Sequence, residues 1–413
     1  MLLTPFFNRL IVHGTMTVID AGGKNHRFGT GAEPRVTMRL HNRKAEWRIL
    51  LDPELGVAEC YMDGDLTIEG ASLYDFLHLA GANIALAGDS LPTRARRRVG
   101  LMFRRIAQNN TLRRARRNVA HHYDLSGELY DLFLDADRQY SCAYFEHPSD
   151  DLETAQENKK RHIAAKMLLE PGHKVLDIGS GWGGLGLYLA GLTGAEVHGV
   201  TLSAEQHKVS QQRAAEAGLD GRVKFSLRDY RHETGTYDRI VSVGMFEHIG
   251  VGHYDEFFGK VRDLLTPDGV ALLHTIGRVD QPGTTHPFAA KYIFPGGYVP
   301  ALSEVMAPLQ RSGLIVTDIE VLRLHYADTL RHWRENFMAN WDRARALYDE
   351  RFCRMWEFYL AGSEVSFRCL GLVVFQIQLA RQQDAVPLTR DYIADWERAQ
   401  QPRDRWSDVR RTG

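Results

Sequence analysis

From about residue 150 onward, apolar strand-like runs alternate with helical ones, and this alternation constrains the fold more than any other feature of the chain. HKVLDIG is followed by GGLGLYLAGLT, AEVHGVTL, AEQHKVSQQRAAEAG, VKFSLRD, YDRIVSVG, YDEFFGKVRDLL and GVALLHTIG. A strand that returns to its sheet through a helix lies parallel to the strand before it. The expected fold class is therefore α/β, a mostly parallel sheet with helices on both faces. A polar helix, DDLETAQENKKRHIAAKMLL, is expected to lead into the first strand. Near the other end, SFRCLGLVVFQIQLAR reads as a buried strand or helix with Cys369 in the core.

At 413 residues the chain exceeds the size at which single cores stop growing, about 250 to 300 residues, so a second domain is expected. MTVID, PRVTMRL and EWRILL alternate with Gly, Asn and Asp clusters, and LYDFLHLAGANIALA follows as a helix. They predict a small α+β domain over residues 1–90. Within it, MDGDLTIEGASLYDFL is similar to sterol-carrier-like lipid-binding modules. Residues 91–117 form an Arg-rich linker, and residues 118–413 the larger domain.

Positive and negative residues nearly cancel, with 51 Lys and Arg against 52 Asp and Glu, yet charge is segregated locally. Residues 94–117 hold ten arginines and no acid or lysine. Val99, Met102, Phe103 and Ile106 follow helical spacing there, which suits an amphipathic helix on an anionic membrane as well as a solvated linker. Nucleic acid is the third reading and is not expected, because a single-strand binder needs stacking platforms and Phe103 is the only aromatic in the run. Cys60, Cys142, Cys353 and Cys369 share no close spacing, so neither a disulfide framework nor a metal knuckle is expected. No signal peptide or membrane-spanning run is legible, which predicts a cytoplasmic protein.

In VLDIGSGWGG, residues 175 to 184, an apolar strand runs into glycines at 179, 181, 183 and 184. Such a turn lets backbone approach a ligand at the carboxyl end of the sheet. The pyrophosphate fingerprint is G-x-G-x-x-G, whereas here Trp182 sits inside a run of alternate glycines. Asp177 before the turn and the Pro267-Asp268-Gly269 turn favour an S-adenosylmethionine site over a dinucleotide site. The acid usual at the end of the second strand is replaced by Thr201-Leu202-Ser203 and Gln206, which offer hydrogen bonds without charge.

YDLSGELYDLFLD, QYSCAYF, VLDIGSGWGG, VTLSAEQ, FEHIG, LLHTIG and KYIFPGG, in that order over residues 118 to 385, resemble the cyclopropane-fatty-acyl-phospholipid synthases and their mycolic-acid-modifying relatives. The resemblance implies a class I (Rossmann-like) methyltransferase fold. It also implies transfer of a methylene group from S-adenosylmethionine to a cis double bond in an unsaturated phospholipid acyl chain. A carbocation forms and is deprotonated by bound bicarbonate to close the ring. Peripheral attachment to the inner membrane surface, and pairing into a homodimer, are expectations of the same kind.

Carried over position by position, the anion site is Cys142, Glu247, His274, Ile276 and Tyr326. Glu247 is expected to orient the ion by accepting its hydroxyl hydrogen, and the backbone amides near Cys142 and Ile276 to donate to it. The cofactor positions are Tyr123, Ser141, Gly179, Gly181, Trp182, Thr201, Gln206, Asp229 and Tyr230. Tyr140, Tyr144, Phe145, Phe246, Tyr292, Phe294 and Tyr298 are candidates for cation-stabilising faces, each also readable as core. Three alternatives stay open: a related fatty-acyl C-methyltransferase giving a methyl- or methylene-branched or methylated diunsaturated chain, a nucleic-acid methyltransferase, and a non-enzymatic lipid carrier.

Overall fold

The computed structural model describes residues 1–87 and 126–400. The Arg94 to Arg117 segment and Tyr123 lie outside the described residues. The N-terminal unit runs α1 (Thr4–Leu10), β1 (Thr15–Ile19), β2 (Asn25–Gly29), β3 (Arg35–Leu40), α2 (Arg43–Leu51), α3 (Pro53–Met62), β4 (Leu66–Glu69) and α4 (Leu73–Ala87). Its strands form one sheet in the order β2-β1-β3-β4. Alternation in β3, with Val36, Met38 and Leu40 buried, gives the sheet one apolar face.

The second unit begins with α5 (Gly127–Asp131) and α6 (Leu152–Lys166). The alternating part follows: β5 (Lys174–Ile178), α7 (Gly184–Thr193), β6 (Glu196–Thr201), α8 (Ala204–Glu216), β7 (Val223–Leu227), β8 (Tyr237–Val243), α9 (Tyr254–Leu264) and β9 (Leu265–Arg278). Then come α10 (Leu302–Ser312), β10 (Ile315–Val321), α11 (His325–Ala339), α12 (Trp341–Leu347), α13 (Glu350–Cys369), β11 (Leu372–Ala380) and α14 (Asp391–Gln400). The sheet order is β10-β11-β9-β8-β5-β6-β7. β5 to β9 are parallel, and β11 pairs antiparallel with both β9 and β10. The chain proceeds outward from β5 through β6 to β7, then restarts on the other side with β8. This reversal opens a crevice beyond the carboxyl ends of β5 and β8.

The expected Pro267-Asp268-Gly269 turn lies at the start of β9. Pairing jumps there from Tyr237↔Leu265 to Arg239↔Val270, so the three residues bulge out of the ladder. SFRCLGLVVFQIQLAR is both helix and strand, since α13 ends at Cys369 and β11 starts at Leu372. Cys369 is half-buried at that helix end and is not a core residue, which corrects the expectation.

The helix expected to be polar is the larger surprise. Twelve of its fifteen residues are buried, including Lys159, Lys160 and Lys166. Buried ammonium groups require partners. Lys160 reaches Asp137 at 2.6 Å and lies over the Tyr188 ring, while Arg213 meets the same carboxylate from the other side.

The two units have separate sheets but share one apolar cluster, in which Leu73 and Phe76 join Trp333, Trp356 and Leu360. α4 lies close against α13, because a Cβ on Gly81 would come within 2.5 Å of Val365. Arg351 to Asp63 at 2.9 Å and Lys291 to Glu59 at 2.6 Å bridge the rim of the contact.

Candidate active site

A cavity opens at the crevice beyond β5 and β8. The glycine turn forms its floor, and Gly179 shows why glycine is required: φ is 86°, and a Cβ would lie 2.8 Å from Met245. Gly181 and Trp182 continue the floor, and Ser141 enters from the loop before α6. Thr201 and Gln206 line the β6 side, and Asp229 and Tyr230 the far end. All eight described cofactor positions therefore meet in one cavity.

Within it, Asp177 Oδ2, Ser180 Oγ, Trp182 Nε1 and the Tyr230 hydroxyl are buried and make no hydrogen bond among the described residues. Buried polar groups are rarely left unpaired, so this set is built for a polar ligand. Burial raises the Asp177 carboxyl to about 7. The Thr201 hydroxyl donates to Gln206 Oε1 at 3.0 Å, which leaves the Gln206 NH2 as its outward polar end. Asp229 is held by Arg231 through both oxygens, at 2.9 and 2.8 Å. A carboxyl donor, an indole N–H, two hydroxyls and an amide around a glycine floor suit the amino acid, ribose and base of S-adenosylmethionine.

None of the five anion-site candidates lines this cavity; they fall on two walls outside its lining, where Cys142 follows the lining residue Ser141 and Glu247 precedes the lining residue His248. On the first, Ile276 N–H donates to Glu247 Oε1 at 2.6 Å. The amide read as a donor to a bound ion is thus engaged by Glu247, and Ile276 instead aims that carboxyl. Burial pushes Glu247 up to about 7. His274 lies two residues before Ile276 on β9; burial, reinforced by Lys159, Lys166 and His162, keeps its ring neutral. Glu247 Oε2 and His274 Nε2 are both buried without a partner among the described residues.

The second wall carries Cys142 and Tyr326. The Cys142 thiol donates to the Ala143 carbonyl at 3.3 Å, and burial pushes its pKa far up, so it is no nucleophile. Tyr326 packs edge-on against Trp333 at 5.7 Å, and Tyr140 stacks on the same indole at 5.2 Å. Ile276 of the first wall packs against the same apolar cluster that holds Cys142 and Tyr326.

Several aromatic candidates are elsewhere. Phe246 is in the core against Tyr254, Phe257 and Phe258. Tyr292 hydrogen bonds Glu59 of the N-terminal unit, and the Tyr298 hydroxyl donates to Glu304. Tyr144 is stacked between His162 and His325. Of the seven, Tyr140 alone lines the cavity.

Sequence reasoning missed Lys159, which is wholly buried and donates to Gln139 Oε1 at 2.7 Å and Ser141 Oγ at 2.8 Å. It holds two cavity-lining side chains from behind. Nothing local marks it, since a lysine in a polar helix normally faces water. His248, whose pKa burial lowers to about 4, lines the cavity, whereas His253 lies at the surface beside Glu256.

A parallel sheet with this reversal, a glycine floor and unpaired polar groups at its carboxyl edge defines a class I S-adenosylmethionine-dependent methyltransferase. The family model described as mycolic acid cyclopropane synthetase matches residues 110–377, and the chain belongs to that family. It is 37% identical over 344 residues to the cyclopropane-fatty-acyl-phospholipid synthase of Escherichia coli K12, covering 83% of this chain and 87% of that protein. It is 41% identical over 281 residues to the tuberculostearic acid methyltransferase UfaA1 of Mycobacterium tuberculosis, covering 65% and 66%. The mycolic acid cyclopropane synthase CmaA1, solved with SAH and CTAB, superposes with a TM-score of 0.61 at 35% identity, over 64% of this chain and 97% of that one.

Proposed function

We propose that the protein converts a cis double bond in an unsaturated phospholipid acyl chain into a cyclopropane ring, using S-adenosylmethionine as one-carbon donor. The observation that carries this reading is that Glu247 Oε2 and His274 Nε2 are both buried without a partner among the described residues, with Glu247 bonded to the amide of Ile276, two residues beyond His274 on β9. One accepts and the other donates, which suits an ion that carries both a hydroxyl and charged oxygens. Bicarbonate is such an ion, and when bound it supplies the base for the proton lost on ring closure.

The chain's own part is positioning and exclusion of water. An alkene is a weak nucleophile and must be held in line with the sulfonium methyl in a dry pocket. Tyr140 offers an aromatic face to developing positive charge without reacting with it. Its hydroxyl is held 2.8 Å from that of Tyr359, so the ring cannot swing away. Glu247, aimed by the Ile276 amide, accepts the proton of the ion's hydroxyl and fixes its orientation. Among the described residues no helix is long and apolar enough to cross a membrane. The substrate would be reached by peripheral attachment through Arg94 to Arg117, at the inner membrane surface, with two chains paired as a homodimer.

Lipid analysis of cells expressing the protein with isotopically labelled methionine tests the reading. The expected product gains one labelled CH2 per alkene without a new double bond. A labelled methyl or methylene branch would favour the second reading, to which the likeness to the tuberculostearic acid methyltransferase lends weight.

A further inference from the structure

His274 has one ring nitrogen satisfied and one not. Nδ1 lies 3.2 Å from Nε2 of Gln376, the residue directly opposite it where β9 pairs with β11. The far end of that amide decides which nitrogen carries the proton. Gln376 Oε1 lies 2.8 Å from Lys166 Nζ, and an ammonium only donates, so the oxygen faces the lysine and the NH2 faces the histidine. A donor facing Nδ1 requires Nδ1 to be bare. The single proton of the neutral ring is then on Nε2, the atom left without a partner.

The chain continues outward. Lys166 is gripped by Glu320, Glu320 meets His162 at 2.8 Å, and the other nitrogen of His162 meets Glu397 on α14 at 2.6 Å. His274, Gln376 and Lys166 are each no more than 2% exposed, so the two inner links are shielded from bulk water.

We propose that Gln376, held by Lys166, is a positioning residue that locks His274 in its Nε2–H tautomer and so presents a fixed hydrogen-bond donor to an anion bound at that nitrogen. This rests on the anion reading above. The opposite tautomer would turn a lone pair toward the anion, which is repulsive. The imidazole tautomer is set by what its other nitrogen meets, and at histidines that hold metals the loss of such an orienting partner costs about 10–100-fold in affinity or activity.

The test is NMR of the full chain labelled with nitrogen-15 histidine, the His274 ring being assigned by its loss in His274→Asn. The wild type should show the Nε2–H tautomer. In Gln376→Glu the carboxylate accepts from the ring, so the proton should move to Nδ1, with kcat reduced about 10–100-fold at unchanged KM for S-adenosylmethionine. A wild-type ring protonated on Nδ1 overturns the proposal and requires no variant to fold. An unshifted tautomer in Gln376→Glu, whatever its melting temperature, also overturns it. Titration with bicarbonate separates the two readings: an Nε2–H ring whose nitrogen shifts ignore the ion upholds the lock and sinks the anion site.

Discussion

The Ile276 amide donates to Glu247 Oε1 at 2.6 Å, which joins the end of β9 to the turn after β8 and leaves Glu247 Oε2 as the free end of a buried carboxyl. A carboxyl so placed has a conflict between stability and function. Burial favours its neutral form, whereas accepting a proton requires the charged one.

Glu247→Gln keeps the bond from Ile276 and removes the ability to take a proton. The expected loss in kcat is about 100- to 10,000-fold, with S-adenosylhomocysteine affinity by calorimetry unchanged. Wild-type kcat at fixed bicarbonate should rise with pH through about 7, and the variant should lack that inflection. A variant of near wild-type rate would remove Glu247 from the mechanism.

The same shift has a signature in stability. Folding raises the Glu247 pKa from 4.5 to about 7, so between those values the folded chain holds more protons than the unfolded one, and stability falls as pH rises. At pH 8 this amounts to about 3 kcal/mol, and below pH 4.5 it vanishes. Glu247→Gln should therefore be more stable than wild type at pH 8 and no more stable at pH 4, by urea denaturation. Equal denaturation midpoints at pH 8 would show that the carboxyl is not strained.

Tyr230→Phe deletes a hydroxyl that has no partner among the described residues. The melting temperature without ligand should be unchanged or slightly higher. Affinity for S-adenosylhomocysteine should fall about 5-fold, the equivalent of one hydrogen bond of about 1 kcal/mol. Undiminished affinity would place the hydroxyl outside the cofactor contact.

Cys142→Ser preserves size and a donor to the Ala143 carbonyl. With the thiol pKa pushed far up, no thiolate chemistry is lost, and activity should stay within about 10-fold of wild type, with wild-type resistance to iodoacetamide at neutral pH. An inactive serine variant that still folds and binds cofactor would reopen a chemical role for the sulfur.

Replacing Arg94, Arg96, Arg97 and Arg98 by Gln in the full chain should weaken sedimentation with anionic phospholipid vesicles by about 1 kcal/mol per charge removed and make its loss with salt shallower. Full-chain substitution is preferable to truncation, because removing the N-terminal unit would expose the apolar cluster it shares with α13. Unchanged vesicle binding would sink the membrane role of this segment.

The strand and helix alternation, the glycine turn and the cofactor end of the sheet were legible in the sequence, because each is written in local periodicity or in a backbone geometry that only certain residues adopt. Gly179 announces its turn wherever it occurs. What the tertiary structure decided depends on neighbours remote in the chain. The three lysines in the run AQENKKRHIAAK look solvated until Gln139 meets Lys159, Asp137 meets Lys160, and Glu320 and Gln376 meet Lys166. Phe246 looks like Tyr140 in sequence, yet one packs among α9 phenylalanines and the other faces the cavity. His274 could be placed at the end of a strand by its motif. Which of its nitrogens carries the proton was settled only by the pairing of β9 with a strand about 100 residues later, since a hydrogen-bond direction is fixed by the partner and not by the residue itself.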